Sequence, residues 1–493
     1  MKARNTFAAN VLLLFFFSCL GFVVLGYHPG AEDDGVYLAA IKHNVDPVLF
    51  PRDADFFQLQ LQATVFDECV GTTVRWSHLP IPVVALLWQF GAILLALYSC
   101  FRIARLLFKE RHVQWAGVAM AATMLSMPVA GTALYLFDQH LHPRNIATAL
   151  ILLAASYILE RRWGFAVPLL TLAFVMHPIM ASVGISFCIF LALAMSDGVH
   201  LWLKRWQSAS LAALTPLGWI FEPPNPVWKK ALDTRTYYYL YKWHWYEWLG
   251  ALAPLCIFFA LWKWAKKRGD QKLARFTLGV LAYGIFQQLC SMVMLGIPSL
   301  VRLTPLQPMR YLQLVYFFMM LLLGCLLGEY LLKTSIARWA LFLVAASAGM
   351  YCTQWAEFPS SAHVELPGRP SANPWLQSFA WVRQNTPRNA YFALDPHYME
   401  EPGNDYHSFR ALAERSQLAD AVKDTAVVTQ VPRLGYSWYT QVTAQQGWQN
   451  FKLADFERLH RRFGVNWVLV ADPPPAGLRC RYHNGTLAVC QIP

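Results

Sequence analysis

Three consecutive carboxylates, Glu32, Asp33 and Asp34, follow the first apolar stretch of the chain in the sequence YHPGAEDDGVYLAAI. A carboxylate at a membrane surface can act as general base for a hydroxyl or amine, or can help to hold a cation near a lipid phosphate. The same acids also stand where a helix would begin, and negative charge is favourable at a helix N-terminus without any chemistry. Two interpretations are therefore open: reactive carboxylates, or the start of a short helix that lies on the membrane.

A second polar group lies in the sequence FDQHLHPRNIA, where Asp138, His140, His142 and Arg144 precede an apolar run. Alternate histidines can serve as metal ligands, and Asp138 can serve as an active-site acid. The simpler interpretation is a polar loop at the interface, with Arg144 against lipid headgroups. The spacing does not decide between these interpretations, so whether a metal binds is unknown from the sequence.

Three more residues could do chemistry further along the chain. His177 stands beside Pro178 between two apolar runs, at the outer rim of the membrane or within a kinked helix, so packing and functional roles are both open. Arg302 and Arg310 flank a turn rich in proline. A guanidinium there can bind the oxygens of a phosphate through two hydrogen bonds, although arginines at a membrane rim also bind ordinary headgroups.

The composition indicates a membrane protein. Of 493 residues, 56% are hydrophobic and only 14% are charged, which lies far outside the averages of soluble proteins. The net charge of +12 has to be interpreted by position, because Lys and Arg beside spanning helices report orientation first. A nucleic-acid partner is therefore not expected.

Apolar runs long enough, or nearly long enough, to cross a bilayer predict nine to eleven transmembrane helices. The number is a range because several runs are short and residues 163–195 could form one broken helix. The candidate spans are residues 7–26, 81–101, 113–137, 146–159, 163–176, 179–195, 208–221, 248–264, 274–297, 311–332 and 338–353.

The basic connections fix the orientation. Lys2 and Arg4 precede the first span, and every second connection after it is again rich in Lys or Arg, which places the N-terminus in the cytoplasm. The first span is interpreted as uncleaved, and a lipoprotein signal at Cys19 is the alternative. The long loop 27–80 and everything after about residue 354 then face outward.

The outward tail predicts a second domain, with the boundary between residues 1–354 and 355–493. Asn373 and Pro374 mark a helix start, and Gly464 separates a helix from a buried strand at residues 465–470. The fold class is therefore a polytopic α-helical membrane protein with a small C-terminal α/β domain. Cys480 and Cys490 are candidates for a disulfide, which suits an oxidising compartment.

These features resemble the GT-C superfamily of integral-membrane glycosyltransferases, which includes aminoarabinose transferases, protein O-mannosyltransferases and the oligosaccharyltransferase catalytic subunit. The sequence DDGVYLAAIKHNV is similar to the first-loop pattern of the bacterial lipid-sugar transferases. The sequence WVRQNTPRNAYFALDP resembles the start of the outer domain in many such proteins. The resemblance covers the architecture of the whole chain.

The resemblance implies an inverting glycosyltransferase that takes a sugar from a polyprenyl-phosphate donor at the outer face of a membrane, with the bacterial inner membrane and periplasm expected. It implies that Asp33 is the catalytic carboxylate, that Asp34 is its neighbour and that Asp138 is the second-loop acid. Arg302 and Arg310 would bind the donor phosphate. No cofactor is certain; a divalent cation is compatible, since some members need one and others do not. Accessory candidates are Glu32, His28, His140, His142 and His177.

Two other functions remain as alternatives. A transporter or lipid flippase would need ionisable groups or broken helices near the bilayer midplane, and the segment 163–195 offers one such break. A membrane scaffold without enzymatic activity would use the outer domain to bind a partner, but it would leave the acids after the first span unexplained. Membrane lipids are partners in every case, whereas the sugar and the acceptor, whether glycan, lipid or protein, are not specified by the sequence.

Overall fold

The computed structural model describes residues 2–196 and 223–493. Within these residues, seven helices are long and apolar enough to cross a membrane. They are Phe7–Leu25, Ile81–Leu107, Pro178–Met195, Trp245–Lys267, Gln271–Gly296, Pro308–Leu332 and Ile336–Glu357. Two further apolar helices are shorter, and the predicted span at 208–221 lies outside the described residues. The helices support an integral membrane protein, and the count of nine to eleven spans stays a prediction.

The described helices before residue 360 are labelled in chain order. They are α1 (Lys2–Leu25), α2 (Asp34–Val45), α3 (Asp55–Leu61), α4 (Phe66–Ser77), α5 (Ile81–Leu107), α6 (Arg111–Thr123), α7 (Pro143–Leu159), α8 (Trp163–Met176), α9 (Pro178–Met195), α10 (Pro226–Asp233), α11 (Trp245–Lys267), α12 (Gln271–Gly296), α13 (Tyr311–Leu327) and α14 (Ile336–Glu357). Short 3-10 turns cover Thr236–Tyr238, Leu240–Lys242, Pro298–Leu306 and Pro308–Arg310.

The predicted span 113–137 is wrong as a single helix. Helix α6 ends at Thr123, and the strands β1 (Pro128–Val129) and β2 (Leu134–Tyr135) then form a small antiparallel hairpin. The interruption follows from the sequence MPVAG, because proline cannot donate the helical hydrogen bond and Gly131 takes a positive φ of +64°. A Cβ at Gly131 would lie 2.2 Å from the ring of Trp243, so the turn packs directly on the connection that precedes α11.

The segment 163–195 forms two helices, α8 and α9, that are separated at His177. His177 has an extended backbone, and its Nδ1 accepts a hydrogen bond from the amide of Met180, 3.2 Å away. Its side chain is buried. His177 therefore caps α9 at a break between two helices, and its place at the outer rim of the membrane stays a prediction.

Helix α2, in the loop 27–80 that we call the first outer loop, has no free face for a membrane surface, contrary to the prediction. Helix α2 is buried from Asp34 to Lys42, because the C-terminal domain covers it. The ammonium of Lys42 donates to the carbonyl of Ala411 at 2.7 Å and pairs with the carboxylate of Glu414 at 2.6 Å. A helix covered on both sides needs no lipid to bury its apolar residues, so the start of α2 lies inside the protein.

The C-terminal region forms a small domain around a five-stranded sheet, as the sequence predicts. Its elements are α15 (Pro374–Asn385), β3 (Tyr391–Ala393), α16 (Phe409–Ala413), β4 (Ser416–Gln417), α17 (Lys423–Gln430), α18 (Gly435–Ala444), α19 (Leu453–Phe463), β5 (Trp467–Ala471), β6 (Arg479–His483) and β7 (Leu487–Gln491). The strand order is β4-β3-β5-β7-β6, with β4, β3 and β5 parallel and β7 and β6 antiparallel.

Local sequence signals set several boundaries of this domain. The side chain of Asn373 accepts a hydrogen bond from the amide of Trp375 and so caps α15. Gly464 ends α19 with a φ of +77°, which glycine adopts without strain. Cys480 and Cys490 lie opposite each other on β6 and β7 and are joined by a disulfide. The outer domain boundary at about residue 355 stays a prediction.

A buried ionic network joins the first outer loop to the domain. The guanidinium of Arg410 donates to Asp53 of the loop at 2.7 Å and to both oxygens of Asp424 at 2.9 and 3.0 Å. All three side chains are almost fully buried. The two carboxylates accept hydrogen bonds from three nitrogens of the guanidinium. The network therefore fixes the loop against the domain.

Removing one partner from this network is expected to destabilise the protein. Arg410→Met would leave the charges of Asp53 and Asp424 buried without a partner, a change that costs about 3 to 5 kcal/mol in comparable sites. Thermal unfolding in detergent would measure it. The matched control is Arg388→Met, which breaks the exposed loop-to-domain pair of Arg388 and Asp46 at 2.8 Å; exposed pairs contribute about 0 to 1 kcal/mol. Equal destabilisation by both variants would contradict a structural role for the buried network.

Candidate functional site

A cavity of about 700 Å³ lies between the first outer loop, the later outer connections and the C-terminal domain. Residues from widely separated parts of the chain therefore meet around one space. Its charged and polar lining includes Glu32, Asp33, Tyr37, Asp138, His140, His142, Arg144, His177, Arg235, Tyr237, Tyr238, Gln307, Arg310, Glu400, Tyr406 and Lys423. Most of the residues singled out from the sequence are in this set.

Asp33 lies where three basic side chains converge. One carboxylate oxygen is 3.1 Å from the ammonium of Lys423, and the other is 3.3 Å from Nε2 of His142 and 3.7 Å from the guanidinium of Arg144. Burial by itself would raise the pKa of Asp33, but Lys423, His142 and Arg144 together hold it well below its usual range. About a third of the side chain stays exposed to the cavity. Asp33 is therefore an ionised carboxylate with one face open.

The helix-start interpretation does not account for the side chain of Asp33. Asp33 occupies the N-cap position of α2, but its carboxylate makes no capping hydrogen bond. A capping aspartate normally accepts a hydrogen bond from the second or third amide of its helix. The side chain of Asp33 instead contacts Lys423 of α17, a residue of the C-terminal domain.

The two acids beside Asp33 have different surroundings. Asp34 is buried and accepts a hydrogen bond from the amide of Gly30 at 2.8 Å, and burial raises its pKa to about 6. It is not among the described residues that line the cavity. Glu32 does line the cavity and forms an ion pair with Lys423. Asp34 thus fixes the turn before α2, whereas Asp33 and Glu32 share the lysine of the domain.

Asp138 is engaged by Arg144 in a two-point contact. Its two oxygens lie 2.9 and 2.5 Å from the Nε and a terminal nitrogen of Arg144, and both side chains are buried. Burial by itself would raise the pKa of Asp138, but Arg144, together with His142 and His140, lowers it to about 2. Asp138 therefore holds the guanidinium of Arg144 beside Asp33. Arg144 is inside the protein and not against lipid headgroups.

His142, at the residue before α7, lies next to Asp33. Its Nδ1 accepts a hydrogen bond from the amide of Arg144 at 2.9 Å and so caps α7. The proton of the neutral ring then lies on Nε2, which faces Asp33. Burial, and next the charge of Arg144, lowers the pKa of His142 to about 3, so the ring is neutral at physiological pH.

A metal held by Asp138, His140 and His142 is not supported by the geometry. Within residues 2–196 and 223–493, these three side chains do not bring their ligand atoms together as a metal site requires. Asp138 already binds Arg144 with both oxygens, and His142 uses Nδ1 as a helix cap. His140 is buried, and neither of its ring nitrogens has a hydrogen-bond partner.

The two arginines predicted to bind a phosphate lie in different places. Arg310 lines the cavity, and its Nε is buried without a hydrogen-bond partner. Arg302 is not among the described residues that line the cavity, and its guanidinium donates to the carbonyl of Pro223 at 3.2 Å. Only Arg310 therefore faces the space around Asp33.

Several cavity residues were missed by the sequence analysis. Lys423 carries no local signal, since it lies in an ordinary helix 390 residues after Asp33. Arg235 lines the cavity beside Tyr237 and Tyr238, and its Nε is also buried without a partner. The aromatic sequence TRTYYYLYKWHW could have indicated this segment, because so many rings in an outer connection are unusual for a simple link.

The remaining accessory histidines divide between two places. His177 lines the cavity, and burial lowers its pKa well below its usual value, so it is neutral. His28 is not among the described cavity residues; it is buried beside Glu365 and His407. The predicted accessory set is thus not one site.

No family model matches the chain, and a search of curated proteins finds no relative. Among solved structures, the crystal structure of the Archaeoglobus fulgidus oligosaccharyltransferase in the apo form is similar, with 11% identity, a TM-score of 0.46 and coverage of 94% of this chain and 69% of that chain. The archaeal oligosaccharyltransferase AglB from Archaeoglobus fulgidus, in complex with an inhibitory peptide and a dolichol-phosphate, gives 11% identity, a TM-score of 0.46 and coverage of 93% and 69%.

Both structures are oligosaccharyltransferases, one of the kinds of enzyme that the sequence resemblance names within the GT-C superfamily. At this identity and TM-score, neither structure assigns a role to any residue of this chain. The roles of the cavity residues have to be inferred from their own contacts and charges.

Asp138 is expected to contribute more to stability than Asp33. Asp138→Asn would leave the buried guanidinium of Arg144 without its two-point partner, at a cost of about 3 to 5 kcal/mol. Asp33→Asn should cost less, since its contacts are longer and a third of the side chain is exposed. Because the pKa of Asp138 is depressed to about 2, its stabilisation is present above the unfolded value of about 3.9 and is lost as the pH falls through the folded value.

Thermal unfolding of both variants at neutral pH and at pH values below about 4 would test this order. The stability difference between wild type and Asp138→Asn should shrink as the pH falls. An Asp138→Asn protein as stable as wild type at neutral pH would contradict the role of the pair.

Proposed function

We propose that the chain is an integral-membrane glycosyltransferase that moves a sugar from a polyprenyl-phosphate donor to an acceptor in the cavity, with Asp33 as the catalytic carboxylate. The observation that carries the proposal is the composition of the cavity lining. An ionised carboxylate with an open face shares the cavity with Arg235 and Arg310, each of which keeps a buried Nε without a partner. Such a lining places a group that can accept a proton in the same cavity as groups that can bind phosphate oxygens.

The acceptor would be activated by Asp33. As the oxygen or nitrogen of the acceptor bonds to the anomeric carbon, its proton becomes acidic and passes to a carboxylate oxygen of Asp33. A carboxylate with so low a pKa is a weak base, so it takes the proton only as that bond forms and not beforehand. The neutral His142 and the charged Lys423 fix the orientation of the carboxylate, and orientation accounts for much of the gain in such reactions.

The leaving group would be the polyprenyl phosphate. The bond between the anomeric carbon and the phosphate oxygen breaks as the new glycosidic bond forms, which inverts the sugar centre and returns the electron pair to the phosphate. Arg310 and Arg235 are the groups suited to stabilise this charge, because each can donate hydrogen bonds from a position already fixed by the protein. Tyr237 and Tyr238 provide aromatic surface beside them.

The outer-face location of this chemistry rests on the distribution of basic connections in the sequence. The same orientation places the C-terminal domain, which supplies Lys423, outside the cytoplasm. The helix break at His177 opens onto this cavity, so the break needs no transport pathway to explain it.

Asp33→Asn is expected to lower sugar transfer by about 100-fold to 10,000-fold, the contribution usual for proton transfer by a positioned side chain. Purified protein in liposomes would be given a panel of labelled polyprenyl-phosphate sugars and acceptors. The matched control is Asp55→Asn, which changes an exposed acid of the same loop outside the cavity and should keep full activity. Unchanged sugar transfer by Asp33→Asn would contradict the assignment of Asp33 as the catalytic carboxylate. If wild type neither transfers nor hydrolyses any donor of the panel, the glycosyltransferase proposal is wrong.

The two predicted phosphate arginines offer a second test. Arg310→Met should reduce kcat/KM for the donor by about 10-fold to 100-fold, because hydrogen bonds to a charged group contribute about 1.5 to 3 kcal/mol. Arg302→Met removes the same charge at a position outside the cavity lining and should leave kcat/KM within about twofold. Steady-state kinetics with the donor varied would measure both. Equal losses would show that the arginines act on the membrane surface and not on a bound donor.

A further inference from the structure

A second polar cluster lies outside the cavity, at the junction of three chain segments. It consists of His28 just after α1, Glu365 in the connection after α14, and His407 just before α16. One ligand atom from each of these side chains lies within 4.8 Å of the other two. His28 and His407 have no exposed surface. None of the three residues is needed for the glycosyl transfer proposed above.

The atoms of this cluster are spaced as ligands of one ion would be. Nδ1 of His28 lies 2.9 Å and Nε2 of His407 lies 3.1 Å from the same oxygen of Glu365. Ligands about 2.0 to 2.2 Å from a tetrahedral zinc ion are about 3.3 Å apart. Both nitrogens therefore lie from the carboxylate oxygen at distances close to those between two ligands of one ion.

The backbone also holds the ring of His407 in the orientation of a metal ligand. Its Nδ1 lies 2.8 Å from the backbone carbonyl of Asn404, and a carbonyl can only accept, so Nδ1 carries a proton. Nε2, on the other side of the ring, faces the carboxylate of Glu365. An imidazole whose other nitrogen donates to a backbone carbonyl is the usual arrangement of a metal ligand.

Unsatisfied polar atoms surround the same place. Nε2 of His28 is buried without a hydrogen-bond partner, and so are both side-chain amide atoms of Asn404, the residue whose carbonyl orients His407. Buried polar atoms without protein partners usually bind ordered water or an ion, so this junction can accommodate a polar ligand.

The backbone holds the three ligands in position before any ion binds. Tyr27 pairs with Val364 in a parallel bridge, and the amide of Glu365 donates to the carbonyl of Tyr27 at 2.9 Å. Ala31 pairs with His407 in an antiparallel bridge. Each ligand is thus next to, or part of, a backbone hydrogen-bonded pair, so binding would require little ordering of the chain.

We propose that His28, Glu365 and His407 bind one divalent transition-metal ion, with zinc favoured by the set of two imidazoles and one carboxylate. The ion clamps the first outer loop to the connection after α14 and to the C-terminal domain. Its role is to fix the segment that leads from His28 to Asp33. The site is separate from the cavity and does not depend on the glycosyltransferase activity.

The test uses the full-length protein in detergent. Wild type should contain about one zinc per chain by elemental analysis, lose thermal stability on treatment with a strong chelator, and recover it when zinc is added back. Cobalt should replace zinc and give the visible absorption of a low-coordinate site. His28→Ala with His407→Ala should bind cobalt at least about 100-fold more weakly.

The matched control is His483→Ala. His483 pairs with Asp472 at 3.1 Å in the same domain, but this histidine–carboxylate pair is exposed, so the variant should bind cobalt as wild type does. If the double variant fails to fold, the cobalt titration and the chelator effect on wild type decide the question. Three results would each overturn the proposal in favour of a proton on His407. They are no stoichiometric metal in wild type, a thermal stability that chelator and zinc leave unchanged, and cobalt binding that the double variant retains.

Discussion

The site depends on ion pairs between the first outer loop and the C-terminal domain. Lys423 of the domain contacts Asp33 and Glu32, Arg410 contacts Asp53, and Lys42 of the loop contacts Glu414. In every pair one partner belongs to the segment 32–53 and the other to the segment 410–423. The domain therefore lines one side of the cavity and orients its carboxylate through Lys423, so it is not an independent module. Without it, Asp33 would be one acid among several at the start of α2.

The elements that could be predicted from sequence are those specified by local patterns. Apolar runs gave most long helices to within a few residues, Asn373 and Pro374 gave the start of α15, and Gly464 gave the end of α19. The choice of Asp33 among the three adjacent acids came from the family resemblance, and it stays a prediction. Where a local rule was overlooked, the prediction failed: Pro128 and Gly131 interrupt the run 113–137, because neither residue suits the interior of a long helix.

The residues that sequence reasoning missed act through contacts between distant segments. Lys423 reaches Asp33 across 390 residues, and Arg410 reaches Asp53 across 357. No periodicity or motif records such a pairing. The same limit explains why Asp138 could be noticed but not interpreted: its partner Arg144 is only six residues away, yet their two-point contact depends on the backbone between them, which an Asp-x-His-x-His pattern does not specify. It also explains why α2 was placed on the membrane, since the domain that covers it lies at the other end of the chain.

The segment from His28 to Asp33 is held at both of its ends by different means. At one end, His28 is packed against Glu365 with backbone pairing on either side; at the other, Asp33 is oriented by Lys423, His142 and Arg144. Within the segment, the amide of Gly30 donates a hydrogen bond to the carboxylate of Asp34, which fixes the turn. A displacement of about 1 Å can cost a factor of about 100 in a reaction that depends on orientation. A carboxylate on a loop can therefore act as a positioned base only if the loop is as rigid as a helix. In this chain, buried polar and charged groups at both ends of the six-residue segment 28–33 provide that rigidity. Such burial is unfavourable unless each group finds its partner, which is why the acids after the first span require a folded domain above them.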